Sequence, residues 1–425
     1  MIPAKADSDG RMRRKVLGML LAATTINYID RQTLSVLAPL LESEIGLNNL
    51  EYSYVVNSFL VVYSVMYLLA GGLVDRLGTR RGLGFAIVWW SAAEMLHGAA
   101  IGFKTLCLAR ALLAIGEAAI IPSGVKAVSE WFAPRERGVA VGTFEIGLSL
   151  GPILAPPLVS LIALHWGWRH AFFWTGVLGL LWAVPWFLLY RTPKEMHSFK
   201  PDATEPPAAA RWLSLLTSRR IWAIGIARFF GDPIWYFYLF WLPKYLSESK
   251  GLSLAAIGAF AWIPYVGSLF GGLAGGAMSG RLIARGWDPV RARKQVLLGS
   301  SIAASAGVLS IYIDKLGWAL VVISIASFAL QCWGVNLDTL SSDILPSEQV
   351  AGAVGMCGLL GAAGGILFTA VTGFVVQNYS YTPIWIASAL AYPVGLSILW
   401  RLLPHGPSTK RDDDTGKVRT IRSIA

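Results

Sequence analysis

Charge is what this chain has least of. Only 14% of its 425 residues are Asp, Glu, Lys or Arg, against roughly a quarter in ordinary soluble domains. Cysteine is scarce as well: Cys107, Cys332 and Cys357 are the only three, all in apolar surroundings and without metal-ligand spacing. That excludes a disulfide framework and a cysteine metal centre, and each reads as a small hydrophobe. The chain also lacks HExxH and a phosphate-binding P-loop. With no metal cluster or cofactor fingerprint, the expectation is neither an enzyme nor a cofactor protein.

What is there instead is apolar length. Hydrophobic residues make up 55% of the chain, and about 20 of them at 1.5 Å each cross the hydrocarbon of a bilayer. Twelve runs qualify: 16 to 41, 52 to 73, 82 to 102, 104 to 126, 138 to 163, 168 to 190, 221 to 246, 255 to 280, 295 to 314, 317 to 343, 349 to 376 and 382 to 403. The first run is too long for a signal peptide and carries Asp30-Arg31.

The net charge of +11 does not point to nucleic acid, because the basic residues fall in short clusters between apolar runs. Placing both termini in the cytoplasm puts 27 of the 36 Lys and Arg on that side, as the positive-inside rule demands. The Pro-rich break at 191–220 then reads as a linker between bundles at 16–190 and 221–404, flanked by an N-terminal segment at 1–15 and a polar, disordered tail at 405–425. The two halves are related. Trp131-Phe-Ala-Pro-Arg-Glu-Arg-Gly-Val-Ala-Val-Gly142 is echoed by Asp343-Ile-Leu-Pro-Ser-Glu-Gln-Val-Ala-Gly-Ala-Val-Gly355. Parallel six-helix repeats place a transported solute at the midplane between them.

Ionisable residues inside spans are expensive and mark pathways. Asn27-Tyr28-Ile29-Asp30-Arg31 sits within the first run, and Arg110 and Glu117, seven apart and so on one helical face, within the fourth. Counted at 1.5 Å per residue, Arg31 and Arg110 both lie about 8 to 9 Å inside the external boundary. Two guanidiniums at one depth form a receptor for a carboxylate. The competing reading has each arginine neutralised by a neighbouring acid, Arg31 by Asp30, holding the bundle shut. Asp30 and Glu117 are the candidate proton carriers: low dielectric opposes their ionisation and a nearby arginine favours it, so proton and anion occupancy become linked.

Gly71-Gly-Leu-Val-Asp75-Arg76-Leu-Gly78-Thr-Arg80-Arg81 joins the second and third runs. It resembles, at every defined position, the G-x-x-x-D-R-x-G-x-R-R signature of the major facilitator superfamily. The resemblance implies an all-α membrane protein of twelve transmembrane helices in two pseudo-symmetric six-helix bundles. In that family the motif latches the cytoplasmic side, which makes Gly71, Asp75, Arg76, Gly78, Arg80 and Arg81 conformational elements. Further strings, among them Arg110 to Pro122, Phe240-Trp-Leu-Pro-Lys-Tyr245 and Trp333-Gly-Val-Asn336, are similar to the anion:cation symporters, nearest to bacterial hexuronate transporters.

That likeness implies uptake of a small sugar-acid anion by proton symport, by a monomer in the bacterial inner membrane, with the proton as coupling ion and no cofactor. Carried over by motif, Tyr28, Arg31, Tyr63, Arg110, Asn336 and Thr339 bind substrate, while Asp30 and Glu117 couple protons. Two residues depart from the hexuronate pattern: Glu145, where Asn is usual, and Asp338, in place of an apolar or aromatic residue. Glu145 is either a further proton site, a selector for a cationic or hydroxyl-rich substrate group, or a satisfied polar contact. Arg228 and Asp232 have the spacing of an i,i+4 pair, and Lys126 either snorkels or serves a gate. A proton-driven exporter with the same fold is the rival function, with two intramembrane arginines against it.

Overall fold

The computed structural model describes residues 3–133, 135–191, 217–345 and 347–403. Twelve helical spans follow in order: α1 Pro3–Ile45, α2 Asn49–Leu77, α3 Thr79–His97, α4 Phe103–Trp131, α5 Arg137–Trp166, α6 Trp168–Leu189, α7 Arg219–Lys250, α8 Leu254–Ala284, α9 Pro289–Ile311, α10 Leu316–Ile344, α11 Ser347–Asn378 and α12 Thr382–Leu402. Most of the expected linker, 192–216, and the expected tail, 405–425, lie outside the described residues. Among the described residues, nine helices are long and apolar enough to cross a membrane on composition. The other three are α1, α3 and α7, which carry Asp30 and Arg31, Glu94, and Arg228 and Asp232. The helices also outrun the apolar stretches, as with α1 from Pro3 rather than 16, because backbone hydrogen bonding continues past the hydrocarbon edge.

Two bundles of six helices pack through small residues. In the second, a Cβ on Gly275 would stand 2.8 Å from the Cα of Cys332, so α8 and α10 approach backbone to backbone. Without a hydrophobic drive between helices in lipid, close van der Waals approach of this kind supplies the adhesion. Gly267, Gly271 and Gly364 likewise meet the backbone of a neighbouring helix, so these glycines serve packing. Two of the cysteines behave as buried weak donors, Cys332 Sγ to the Gly271 carbonyl and Cys357 Sγ to that of Ile221.

Alternation of direction puts the starts of odd helices and the ends of even ones at the end bearing both termini; the opposite end is called distal. The hydrogen bonds joining the bundles cluster distally. Ser35 Oγ and Tyr52 Oη both donate to the Phe240 carbonyl, at 2.8 and 2.6 Å, Gln32 Nε2 donates to Tyr265 Oη at 2.8 Å, and Asn49 N to Gln377 Oε1 at 2.9 Å. Lys244, buried on α7, pairs with Glu42 of α1 and Glu248 of its own helix, each at 2.6 Å. The distal halves are therefore sealed together, and the cavity between the bundles opens towards the terminal end.

The α2–α3 signature holds its own bundle together. Gly78, at φ +76°, makes the turn that a residue with a Cβ would strain. Asp75 pairs with Lys126 at 2.7 Å, and Lys126 also donates to the Val74 carbonyl at 3.2 Å. Arg80 donates to the Phe187 carbonyl, and Thr79 and Tyr190 both donate to Glu130. Asp75, Arg76 and Arg81 face outwards. Lys126 thus neutralises the motif carboxylate, a more specific role than snorkelling.

Candidate functional site

Between the bundles lies a cavity of about 490 Å³. Tyr28 of α1, Tyr63 and Tyr67 of α2 and Glu145 of α5 form one wall; Arg228, Asp232 and Tyr236 of α7 with Asp338 of α10 form the other. Aromatic faces beside a few ionisable groups are the composition of a site for a small polar solute with a carbon ring or chain.

Behind the tyrosines stands Arg31, 3% exposed. Its Nε and Nη2 both donate to Glu117 Oε2, at 3.0 and 2.8 Å, and Nη2 reaches Asn27 Oδ1 at 3.3 Å. The guanidinium also lies over the rings of Tyr28 (4.5 Å), Tyr63 (4.7 Å) and Phe59 (5.0 Å). Three aromatic faces hold it planar and pointed at one carboxylate. The partner is Glu117, across from α4, rather than adjacent Asp30. Residues i and i+1 on a helix project about 100° apart, so Asp30 faces into the first bundle, where both its oxygens are buried without a hydrogen-bond partner among the described residues.

Depth counting from the sequence agrees with the geometry, since Arg110 Nη2 donates to the Arg31 carbonyl at 3.1 Å. The two guanidiniums nevertheless do not form an open fork. Phe59 lies against both, 5.1 Å from Arg110, and Phe240 covers Arg110 from the second bundle at 6.0 Å. Closure of the distal half therefore leaves Arg110 fully buried, its Nε and Nη1 unpartnered among the described residues; Arg31 does not line the cavity itself but lies against Tyr28 and Tyr63, whose rings do.

Asn336 and Thr339, expected at the substrate, are placed elsewhere. Asn336 Nδ2 donates to the carbonyls of Gly275 (3.0 Å) and Cys332 (2.9 Å), tying α8 to α10, and Thr339 Oγ1 turns back to the Val335 carbonyl. Neither lines the cavity. Three-residue spacing put them on one side of the helix, but that side packs against α8. Asn336→Ala is accordingly expected to lower thermal stability in detergent by about 1 to 3 kcal/mol, the cost of stranding a buried carbonyl, while leaving KM for uptake unchanged.

Glu145 and Asp338 both line the cavity. Asp338 pairs with Arg228, which also reaches Asp232 at 3.6 Å, so the i,i+4 pair expected on α7 is one arm of a three-residue bridge to α10. Glu145 ends the first segment of α5, just before the helix breaks at Ile146, and projects among the tyrosines.

The sequence reading passed over Glu94 and His97 on α3. Both are fully buried; Glu94 Oε1 accepts from Thr175 Oγ1 of α6 at 3.3 Å, and His97 stacks on Phe172 with ring centroids 4.9 Å apart. The rule that singled out Asp30 applies equally to a carboxylate within the run 82 to 102.

The sequence pattern that defines the Major Facilitator Superfamily matches residues 20–340. The Hexuronate transporter of Escherichia coli (strain K12) is 30% identical over 423 residues, covering 95% of this chain and 97% of that protein. The Galacturonate transporter of Dickeya chrysanthemi is 34% identical over 283 residues, 63% of this chain and 81% of that one. A D-galactonate transporter of Escherichia coli O6:H1 is 26% identical over 422 residues, 94% and 96%. Among solved structures, an inward-facing, occupied bacterial homolog of the human lysosomal transporter Spinster superposes with a TM-score of 0.72 at 19% identity, over 92% of this chain and 96% of that one. That likeness speaks for the fold alone.

Proposed function

Because the chain belongs to the major facilitator superfamily and is a membrane transporter rather than an enzyme, we propose that it imports a sugar acid by proton symport, through alternating access, across a bacterial inner membrane with both termini cytoplasmic. The observation that carries this reading is the buried Arg31–Glu117 pair behind the tyrosine wall. In the present conformation the distal, external end is sealed and the cavity opens inwards. A substrate carboxylate competes with Glu117 for the guanidinium. Two carboxylates cannot share one arginine in a low-dielectric pocket without a proton, so anion binding requires protonation of Glu117. Tyr28 and Tyr63 supply faces for the sugar ring, and Arg110 fixes the Arg31 backbone. A single chain carries all of these groups, so the unit of transport is the monomer and the coupling ion is the proton.

Sugar acids are the proposed class because relatives named for hexuronate, galacturonate and galactonate transport match this chain over most of their length. Glu145 and the Arg228 bridge lie where the polyol end of such a molecule would rest. Proteoliposomes offered D-galacturonate, D-glucuronate, D-galactonate and D-glucarate test the reading. Uptake of at least one, raised by an inward proton gradient and abolished by an uncoupler, is expected; stabilisation and transport of cationic drugs alone would overturn it in favour of export.

A further inference from the structure

Behind the Arg31–Glu117 pair lies a second set of buried ionisable groups that this exchange does not use. Asp30, Glu94 and Glu117 are three carboxyls, all fully buried; of the two neighbouring guanidiniums, Arg31 pairs with Glu117, while the charge of Arg110 acts on all three. Fully ionised, the cluster would hold one negative charge in excess, sealed from water. An uncompensated charge there costs several kcal/mol, far more than holding a proton. Glu117 takes both donor arms of Arg31. The proton therefore belongs to the pair left with Arg110, Asp30 and Glu94. Asp30 has no hydrogen-bond partner for either oxygen, and Glu94 Oε2 has none either, among the described residues.

His97 stands one turn further along α3 from Glu94. Its Nδ1 lies 2.9 Å from the Ala93 carbonyl and 3.2 Å from that of Glu94, and only an N–H can serve two carbonyls. The ring is thus the neutral Nδ1–H tautomer, with Nε2 a bare acceptor, buried and unpartnered. Nδ1 is also 3.6 Å from Glu94 Oε2. His97 ends α3, and the next residue, Gly98, lines a distal depression of about 390 Å³ together with Arg169 and His170.

We infer that Glu94 is a proton store for the coupled cycle and that His97 refills it from the distal side. Nε2 takes a proton from the depression and Nδ1 releases its own to Glu94, which passes one to Asp30 and on to Glu117 as substrate takes Arg31. The proton count is conserved at each transfer. The charged groups facing this line are Asp30 and Arg31 of α1, Arg110 and Glu117 of α4, and, at its mouth, Arg169 and His170 of α6; within the bundle α6 sets Thr175 against Glu94 and Phe172 against His97. The relay rests on proton coupling at Glu117, but the store can be tested without transport.

Infrared spectra of the wild-type protein in lipid at neutral pH are expected to contain a protonated-carboxyl stretch that Glu94→Gln removes. A spectrum unchanged by the substitution, or without such a band, overturns the store even if symport is established; failure of symport leaves the band. In proteoliposomes, Glu94→Gln and His97→Phe should slow proton-driven uptake at least about tenfold while leaving substrate exchange at wild-type rate, and Glu94→Asp should recover the uptake. Equal loss of uptake and exchange, with no recovery by Asp, marks Glu94 as structural and overturns the relay.

Discussion

Arg31→Lys is expected to lower kcat/KM for sugar-acid uptake at least about a hundredfold, although the charge is kept. Arg31 makes two hydrogen bonds to one oxygen of Glu117 and lies over three aromatic rings. An ammonium is a point charge that cannot satisfy that planar arrangement. Disrupting a buried, hydrogen-bonded charge pair costs about 3 to 5 kcal/mol, and each 1.36 kcal/mol is a factor of ten. The loss should appear in KM as well as kcat, since on the proposed mechanism the same group receives substrate. A lysine variant with wild-type KM would remove Arg31 from the substrate site. Lys250, whose Nζ donates to the Ile313 carbonyl at the distal surface, is a suitable control: Lys250→Gln should transport normally.

Glu117→Gln should separate binding from coupling. Glutamine keeps the shape and can still accept from Arg31, but it carries no charge to hold the guanidinium and no proton to exchange. Arg31 is then available to substrate at every pH. Exchange of substrate across the membrane is expected to persist, while accumulation against a gradient disappears. The pH dependence gives the sign of the effect. On the proposed mechanism substrate binds only when Glu117 is protonated, so affinity is expected to rise as pH falls; in Glu117→Gln it should be flat. Accumulation at wild-type level in the variant would place the coupling carboxyl elsewhere.

Twelve spans and the two-bundle division were legible because bilayer thickness imposes a length on every helix. The pairing depth of Arg31 and Arg110 followed from helical rise alone and agrees with the hydrogen bond between Arg110 and the Arg31 carbonyl. Rotational phase was harder to read. Seven-residue spacing put Arg110 and Glu117 on one face, but which acid Arg31 meets depends on where α4 sits beside α1, and that is a tertiary fact. Asn336 shows the same limit: a polar residue in a span satisfies its own amide against the neighbouring helix at Gly275 as readily as it meets substrate. The burial of Arg110 could not be read from sequence at all, because it depends on whether Phe59 and Phe240 meet, and hence on which end of the molecule is closed. Glu94 was legible, with the same signal as Asp30.

The measurement that bears most directly on the account is the internal pH of proteoliposomes, followed with a trapped fluorescent dye as D-galacturonate, or whichever sugar acid is transported, is added outside without any imposed gradient. The account requires the interior to acidify as substrate enters, with the acidification lost in Glu117→Gln while exchange continues. Substrate entering wild-type vesicles with no change in internal pH would contradict it.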